Sequence, residues 1–333
     1  MPGGCRRQTQ VETGDRVLPR CSIAYLVLAH EDPGQLGLLL KRLQSETVRF
    51  HVHVDAKTDI APFRRAAADV DQVFFCETRV KVTWAAFSVV RATLQLIEAA
   101  LNHDDLARPR LVLLSGADYP LVANDEIARF FEQHPRHQFI RRFPIQAADE
   151  TQISKVRGRH FRELAPRGSW LRPPLFALER VLRLFPRNLP HQLPLMCGSQ
   201  WWALTADCAR YCLEFARTRP DLLKFFQSVF SPDEIYFHTV VHNSRFAVEA
   251  DRPEPFDEVV TKSGGLSHYA NFHYLPGRLI VSAEDARAAL SARPTKLFAR
   301  KFSSVHSRPA LRAINEQLDC AGAAEAGTMG RWP

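Results

Sequence analysis

Residues 22–29 read SIAYLVLA and stop abruptly at His30-Glu31-Asp32-Pro33-Gly34. A nearly continuous apolar run this short suits a strand buried on both faces. Segments 48–54 (VRFHVHV), 73–76 and 110–114 (RLVLL) read as further strands. Between them, 35–43, 61–68 and 86–101 carry apolar residues at helical spacing. Strand and helix alternating in this way predict a mostly parallel sheet with helices on both faces, a Rossmann-type α/β fold. Ligands of such sheets bind beyond the carboxyl ends of the strands. Those ends carry His30, Asp55, Thr83-Trp84 and residues 115–119.

The rhythm continues with a helix at 124–134, capped by Asn124 or Asp125, and a strand at 139–142. It then breaks. Residues 146–195 are rich in Arg and Pro, with a helical patch at 175–184, and read as a basic excursion from the core. Their charges suit either a solvated face or a surface for an anionic ligand or membrane. Strand character returns at 198–205 (GSQWWALT), followed by helices at 207–215 and 222–227. Ser231-Pro232-Asp233-Glu234 is a helix start signal and predicts a helix over 233–241. Residues 269–274 suit an extended segment, 283–290 a helix, and 296–302 (KLFARKF) a basic-aromatic stretch. Beyond 307 the pattern fades, and 321–333 is expected to be disordered. The expected organisation is an extension over 1–21, one domain over 22–305 and a tail over 306–333, partly disordered. By this rhythm the domain divides into a first half (22–145), the basic excursion (146–195) and a second half (196–305).

A hydrophobic fraction of 46% excludes a disordered or fibrous chain. Lys and Arg number 44 against 36 Asp and Glu, which suits an anionic partner. Regularly interleaved aromatics are missing from the basic excursion, so nucleic acid is not expected. Seven cysteines without a CxxC pair indicate a reduced, cytoplasm-like chain. No run approaches the ~20 apolar residues of a membrane span, and residues 1–20 show no apolar core of a signal peptide.

Three constellations could carry chemistry. Glu234 precedes His238 and His242 at steps of four, so the three can share a helix face. Glu234 therefore fits a general base at a helix mouth, a capping-box partner of Ser231, or one ligand of a metal site. Arg300 and Lys301 stand between Phe298 and Phe302 as a cation pair able to hold a diphosphate, or as surface charges with aromatic anchors. Asp118 follows a strand and a small-residue turn, where nucleotide-sugar enzymes often keep an Asp-x-Asp metal clamp. Only one Asp stands there. The chain's Asp-x-Asp, Asp69-Val70-Asp71, lies on the wrong edge and reads as a solvated helix end. No GxxxxGK[ST], GxGxxG or GxSxG element fits the pattern.

In order, AYLVLAH (24–30), HVD (53–55), VTWAAFSVVRATL (82–94), LLSGADYPL (113–121), GSQWWALT (198–205), SPDEIYFHTVVHNS (231–244) and ARPTKLFARKF (292–302) resemble the core-2/I-branching glycosyltransferase family, its peptide O-xylosyltransferase branch above all. The family also includes β-1,6-N-acetylglucosaminyltransferases. The resemblance implies a GT-A-like fold and an inverting, metal-independent transfer of xylose or N-acetylglucosamine from a UDP-sugar to a glycan or peptide hydroxyl. No cofactor and no metal are expected. By that likeness Leu28, Asp55, Val82, Thr83 and Trp84 line the uridine site, and Gln200 and Trp201 border the sugar. Gly277 or Arg278, with Arg300 and Lys301, hold the diphosphate. Asp118 joins the UDP-sugar-binding set, and Glu234 is the catalytic base.

Two positions depart from the family: Trp84-Ala85-Ala86 stands where Trp-Gly-Gly is common, and Gln200 stands where xylosyltransferases carry Asp. The anchor helix and stem of Golgi relatives are missing from the sequence, so the expected location is cytoplasmic, or peripheral at the inner membrane face. A metal-dependent hydrolase using Glu234, His238 and His242, and a non-catalytic carbohydrate- or polyanion-binding protein, are the competing readings.

Overall fold

The computed structural model describes residues 21–103, 109–145, 150–164, 168–185, 187–190, 193–253 and 271–325. The N-terminal extension up to residue 20, the start of the 269–274 segment and the last residues of the tail lie outside them.

β1 (Ile23–Ala29) is the middle of the sheet and is flanked by β2 (Val48–Val54) and β4 (Arg110–Ser115), both parallel to it. β3 (Val73–Phe75) pairs parallel with β2, and β8 (Ala203–Thr205) closes the other edge antiparallel to β4. The order is β3-β2-β1-β4-β8, the mostly parallel sheet expected. Alternate side chains of β1 divide between two cores: Ala24 and Leu26 join one, and Tyr25 and Val27 the other. α3 (Ser88–Leu101) covers the first face through Val90, Leu94 and Ile97. α1 (Pro33–Leu43) covers the second through Leu36, Leu39, Leu40 and Leu43. Each fully buried aliphatic side chain contributes about 1.5–3 kcal/mol, which is why so apolar a strand takes the central place. α1 starts at Asp32, whose carboxylate accepts from the Gln35 N–H at 3.0 Å.

α2 (Ala61–Ala66) and α4 (Asn124–Gln133) complete the first half, with β5 (Asp118–Pro120) just past the end of β4. β6 (Phe143–Pro144) pairs with β7 (Met196–Cys197), and Ile145 N–H donates to the Leu195 carbonyl at 3.0 Å. The two ends of the basic excursion therefore meet. Inside it are α5 (Glu150–Arg157) and α6 (Arg172–Leu182). α7 (Ala206–Thr218) and α8 (Pro220–Phe226) follow β8.

Several expectations are corrected. Residues 139–142 are not a strand: Phe139 makes a single bridge to Ala203, and the ladder lies one step later at β6. Residues 198–205 are not one strand. Gly198 N–H is drawn to the Glu234 carbonyl at 2.9 Å, which leaves a loop before β8. The predicted 233–241 helix splits into a 3-10 turn, Pro232–Glu234, and α9 (Tyr236–His242). Ser231 is left-handed there (φ 49°) and caps nothing with its side chain, so the capping-box role for Glu234 is not realised.

The tail is also ordered further than expected. α11 (Arg308–Glu325) packs Leu311, Ile314 and Leu318 against Ala286, Ala289 and Leu290 of α10 (Ala283–Leu290). Their spacing of three and four is a helical stripe that the polar flanks mask. Residues past 305 thus share a core cluster with Tyr119, Leu121 and Ala299. β10 (Phe298–Arg300) joins β5 antiparallel and β9 (His273–Tyr274) parallel, bringing the basic-aromatic segment to the edge where β4 ends.

Candidate active site

Asp55 directly follows β2 and is buried. Its Oδ1 accepts from the Lys57 N–H at 3.0 Å and the Val82 N–H at 3.3 Å, and Lys57 Nζ sits 3.2 Å from Oδ2. The carboxylate thus fixes the 80–84 loop, aided by the bond from Val80 N–H to His53 Nε2 at 2.9 Å. Thr83 N–H donates to Ser88 Oγ at 2.9 Å, at the start of α3. Leu28, on β1, faces His53 of β2 and Ser115 of β4 in register. Trp84 projects from the loop 60% exposed, its ring edge-on to Phe230 at 5.7 Å. An exposed indole of this kind can stack on a flat ligand.

Asp118 lies deeper than a ligand-touching residue. It is fully buried and accepts from Ser115 N–H at 2.8 Å and Arg300 Nη1 at 2.9 Å. His273 Nε2 stands 3.2 Å from Oδ2, the oxygen that also accepts from Ser115. Burial holds the His273 imidazole below its ordinary pKa, so the neutral ring donates from Nε2 to the carboxylate. Asp118 therefore aims Arg300, whose guanidinium also lies 4.4 Å over the Trp201 ring. Lys301 follows with an exposed side chain. Gly277, left-handed at φ 77°, precedes Arg278, which is exposed and ion-paired to Asp285 at 2.5 Å. Ile280 N–H donates to the Lys301 carbonyl at 2.9 Å and keeps this turn beside the cation pair.

Glu234 sits at the end of the 3-10 turn, half-buried, with Lys155 Nζ of α5 at 3.0 Å from Oε2. Its neighbour Asp233 has an enclosed Oδ1 without a hydrogen-bond partner among the described residues. Burial first, then the adjacent Glu234 charge, pushes the Asp233 carboxyl up to about 7. His238 is fully buried, and burial pushes it down to about 3. A Cβ on Gly198 would lie 2.3 Å from a carbon of its ring. Among the described residues no group of three His, Cys, Asp or Glu side chains is placed to hold a metal ion. The Glu234, His238 and His242 set does not assemble as a metal centre there.

Backbone bonds tie these parts together. Ser231 N–H donates to the Ala85 carbonyl at 3.1 Å, joining the Trp84 loop to the Glu234 turn. The Gly198–Glu234 bond then leads through half-buried Gln200 to Trp201, and so to Arg300. Ala85 is left-handed, at φ 58°. That conformation suits glycine far better than alanine. Two clefts, of about 420 and 650 Å³, lie elsewhere, at the opposite end of β1 and between α1 and α11.

Lys155, Asp233 and His273 were not singled out by sequence. Lys155 lies 79 positions from Glu234 and His273 lies 155 from Asp118, and no local pattern announces such pairs. Asp233 was visible only as an acidic residue of the helix start.

Residues 23–251 match the family model for Core-2/I-Branching enzyme, and the chain, an α/β domain, belongs to that family. The mostly parallel sheet with helices on both faces is the α/β architecture expected. Among curated relatives, human Xylosyltransferase 2 is 26% identical over 68% of this chain and 25% of its own length. A porcine protein, a probable beta-1,3-galactosyl-O-glycosyl-glycoprotein beta-1,6-N-acetylglucosaminyltransferase 7, is 25% identical over 66% of this chain and 49% of its own. The chain thus spans between a quarter and a half of these two relatives. The crystal structure of mouse Xyloside xylosyltransferase 1 in apo form aligns over 74% of this chain and 93% of its own, at 13% identity and a TM-score of 0.37.

Proposed function

We propose that this chain is an inverting, metal-independent glycosyltransferase that moves xylose or N-acetylglucosamine from a UDP-sugar to the hydroxyl of a glycan or peptide. The observation that carries the reading is Arg300, oriented by buried Asp118 and stacked on Trp201, beside exposed Lys301. Family membership and the relatives' names supply the two donor sugars to test.

The acceptor oxygen attacks the anomeric carbon as the bond to the UDP oxygen breaks. Glu234 takes the acceptor's proton on Oε1, while Lys155 holds Oε2. Arg300 and Lys301 neutralise charge on the departing diphosphate, so no general acid is required. One displacement with one base inverts the anomeric centre. Asp55 and the 80–84 loop take the nucleoside, with Trp84 as a stacking surface, and Gln200 and Trp201 border the sugar.

The test is UDP release from a panel of nucleotide sugars, in EDTA, with sugar and Ser-peptide acceptors. Release with UDP-xylose or UDP-N-acetylglucosamine that persists in EDTA is expected. Activity abolished by EDTA and restored by a divalent ion refutes the metal-free mechanism. Glu234→Gln should retain UDP affinity and lose roughly 10²–10⁴-fold in rate; an unchanged rate removes Glu234 from the role.

A further inference from the structure

α6 sits on the protein the wrong way round for an ordinary surface helix. Within it the only fully buried residue is Glu179, whose Oε1 accepts from the Phe161 N–H at 2.8 Å. Leu171, Leu175, Leu178, Val181, Leu182 and Phe185 recur at steps of three and four along one face. None of them is buried, and Leu178, Val181 and Phe185 are exposed. Arg172, Arg180 and Arg183 fall with Glu179 on the other side. Seven of the twelve exposed large apolar side chains among the described residues lie between 164 and 185, including Trp170 at 81% exposure. Phe176 and Leu184 fall off the Leu178 face, and the rest of this concentration marks an interaction surface.

The charges say what covers it. Residues 157–187 contain eight arginines and two glutamates. Both glutamates are engaged: Glu163 with Arg91 at 3.2 Å, and Glu179 inward. A second copy docked by two-fold symmetry would bring one arginine-rich rim onto its like. An anionic bilayer meets both demands, since its acyl region accepts the apolar face and its headgroups accept the arginines.

We propose that α6 and the turn after it lie in the plane of an anionic membrane surface, with Trp170, Leu178, Val181 and Phe185 inserted and Arg180 and Arg183 at the headgroups. The surface is independent of the catalytic reading but close to its machinery. Arg159 Nη1 donates to the Phe185 carbonyl at 2.8 Å, and Arg187 Nε to the Val156 carbonyl at 2.7 Å, tying this segment to α5, which carries Lys155. Docking therefore holds Glu234 near the lipid–water boundary.

The full chain is sedimented with vesicles of mixed phosphatidylglycerol and phosphatidylcholine, and with phosphatidylcholine alone. Binding to the mixed vesicles, reduced by salt, is expected. Leu178→Glu with Phe185→Glu should lower it roughly a hundredfold. Arg180→Gln with Arg183→Gln should lower it roughly tenfold or more at low salt. Circular dichroism melting checks that each variant is folded, and the arginine pair alone decides the matter if the glutamate pair is not. Equal binding to both vesicle types, no binding, or undiminished binding by folded variants overturns the proposal. So does a solution dimer, seen by light scattering, that the glutamate pair converts to monomer.

Discussion

Replacing Asp118 by Asn separates the aiming of Arg300 from its mere presence. The carboxylate is fully buried and holds Ser115 N–H, Arg300 Nη1 and His273 Nε2 within 2.8–3.2 Å. Asn keeps the size and an acceptor for Ser115, so the perturbation is mainly loss of charge. Arg300, only 15% exposed along its side chain, is then left beside a neutral amide. Breaking one side of a buried pair costs about 3–5 kcal/mol, and the partial exposure of Arg300 places the expected loss at about 3 kcal/mol. Urea unfolding should show that loss as a lower midpoint at unchanged slope. UDP affinity should fall while uridine affinity holds, because the guanidinium is no longer aimed at the phosphates. Lys301→Ala is the control: it should weaken UDP binding without moving the midpoint. An Asp118→Asn protein within about 0.5 kcal/mol of the parent and with unaltered UDP affinity would refute the reasoning.

Ala85→Gly should raise stability by roughly 1 kcal/mol, since it relieves a left-handed alanine at φ 58°; a lower melting temperature would contradict this. Gly198→Ala should destabilise by roughly 1–3 kcal/mol or more, because its Cβ would stand 2.3 Å from the Arg141 carbonyl oxygen, a backbone atom with little room to yield. An unchanged melting temperature would show that the contact relaxes. Asp233 holds its proton up to about pH 7 when folded but releases it nearer pH 4 when unfolded. Stability should therefore fall as pH rises from about 4 to 7, by up to ~1.4 kcal/mol per unit, and Asp233→Asn should flatten that slope. Equal slopes for the two proteins in urea titrations would exclude Asp233 as the source.

The sheet was legible because its central strands are continuous apolar runs, and β1 needs two covered faces wherever it goes. Glu234 and Arg300 were legible because their neighbours in sequence, SPDE and FARKF, are distinctive. Asp118 was legible as a residue but not as an anchor, since its partner is 182 positions away. The Glu234–Lys155 pair was hidden for the same reason, with the lysine one of many charges in a basic stretch. α11 was missed because charged residues surround its apolar stripe. The outward face of α6 could not be read at all: amphipathicity fixes which residues share a side, and only packing decides which side meets the protein.

The pairing of β6 with β7 has an evolutionary meaning. A polypeptide that departs from and rejoins its frame at adjacent rungs can lengthen, shorten or be exchanged in between, because closing a larger loop costs little more than closing a small one. Length can thus change between α5 and β7 while the sheet stays as it is, so long as α5 keeps Ile153 and Val156 in the core and Lys155 on Glu234.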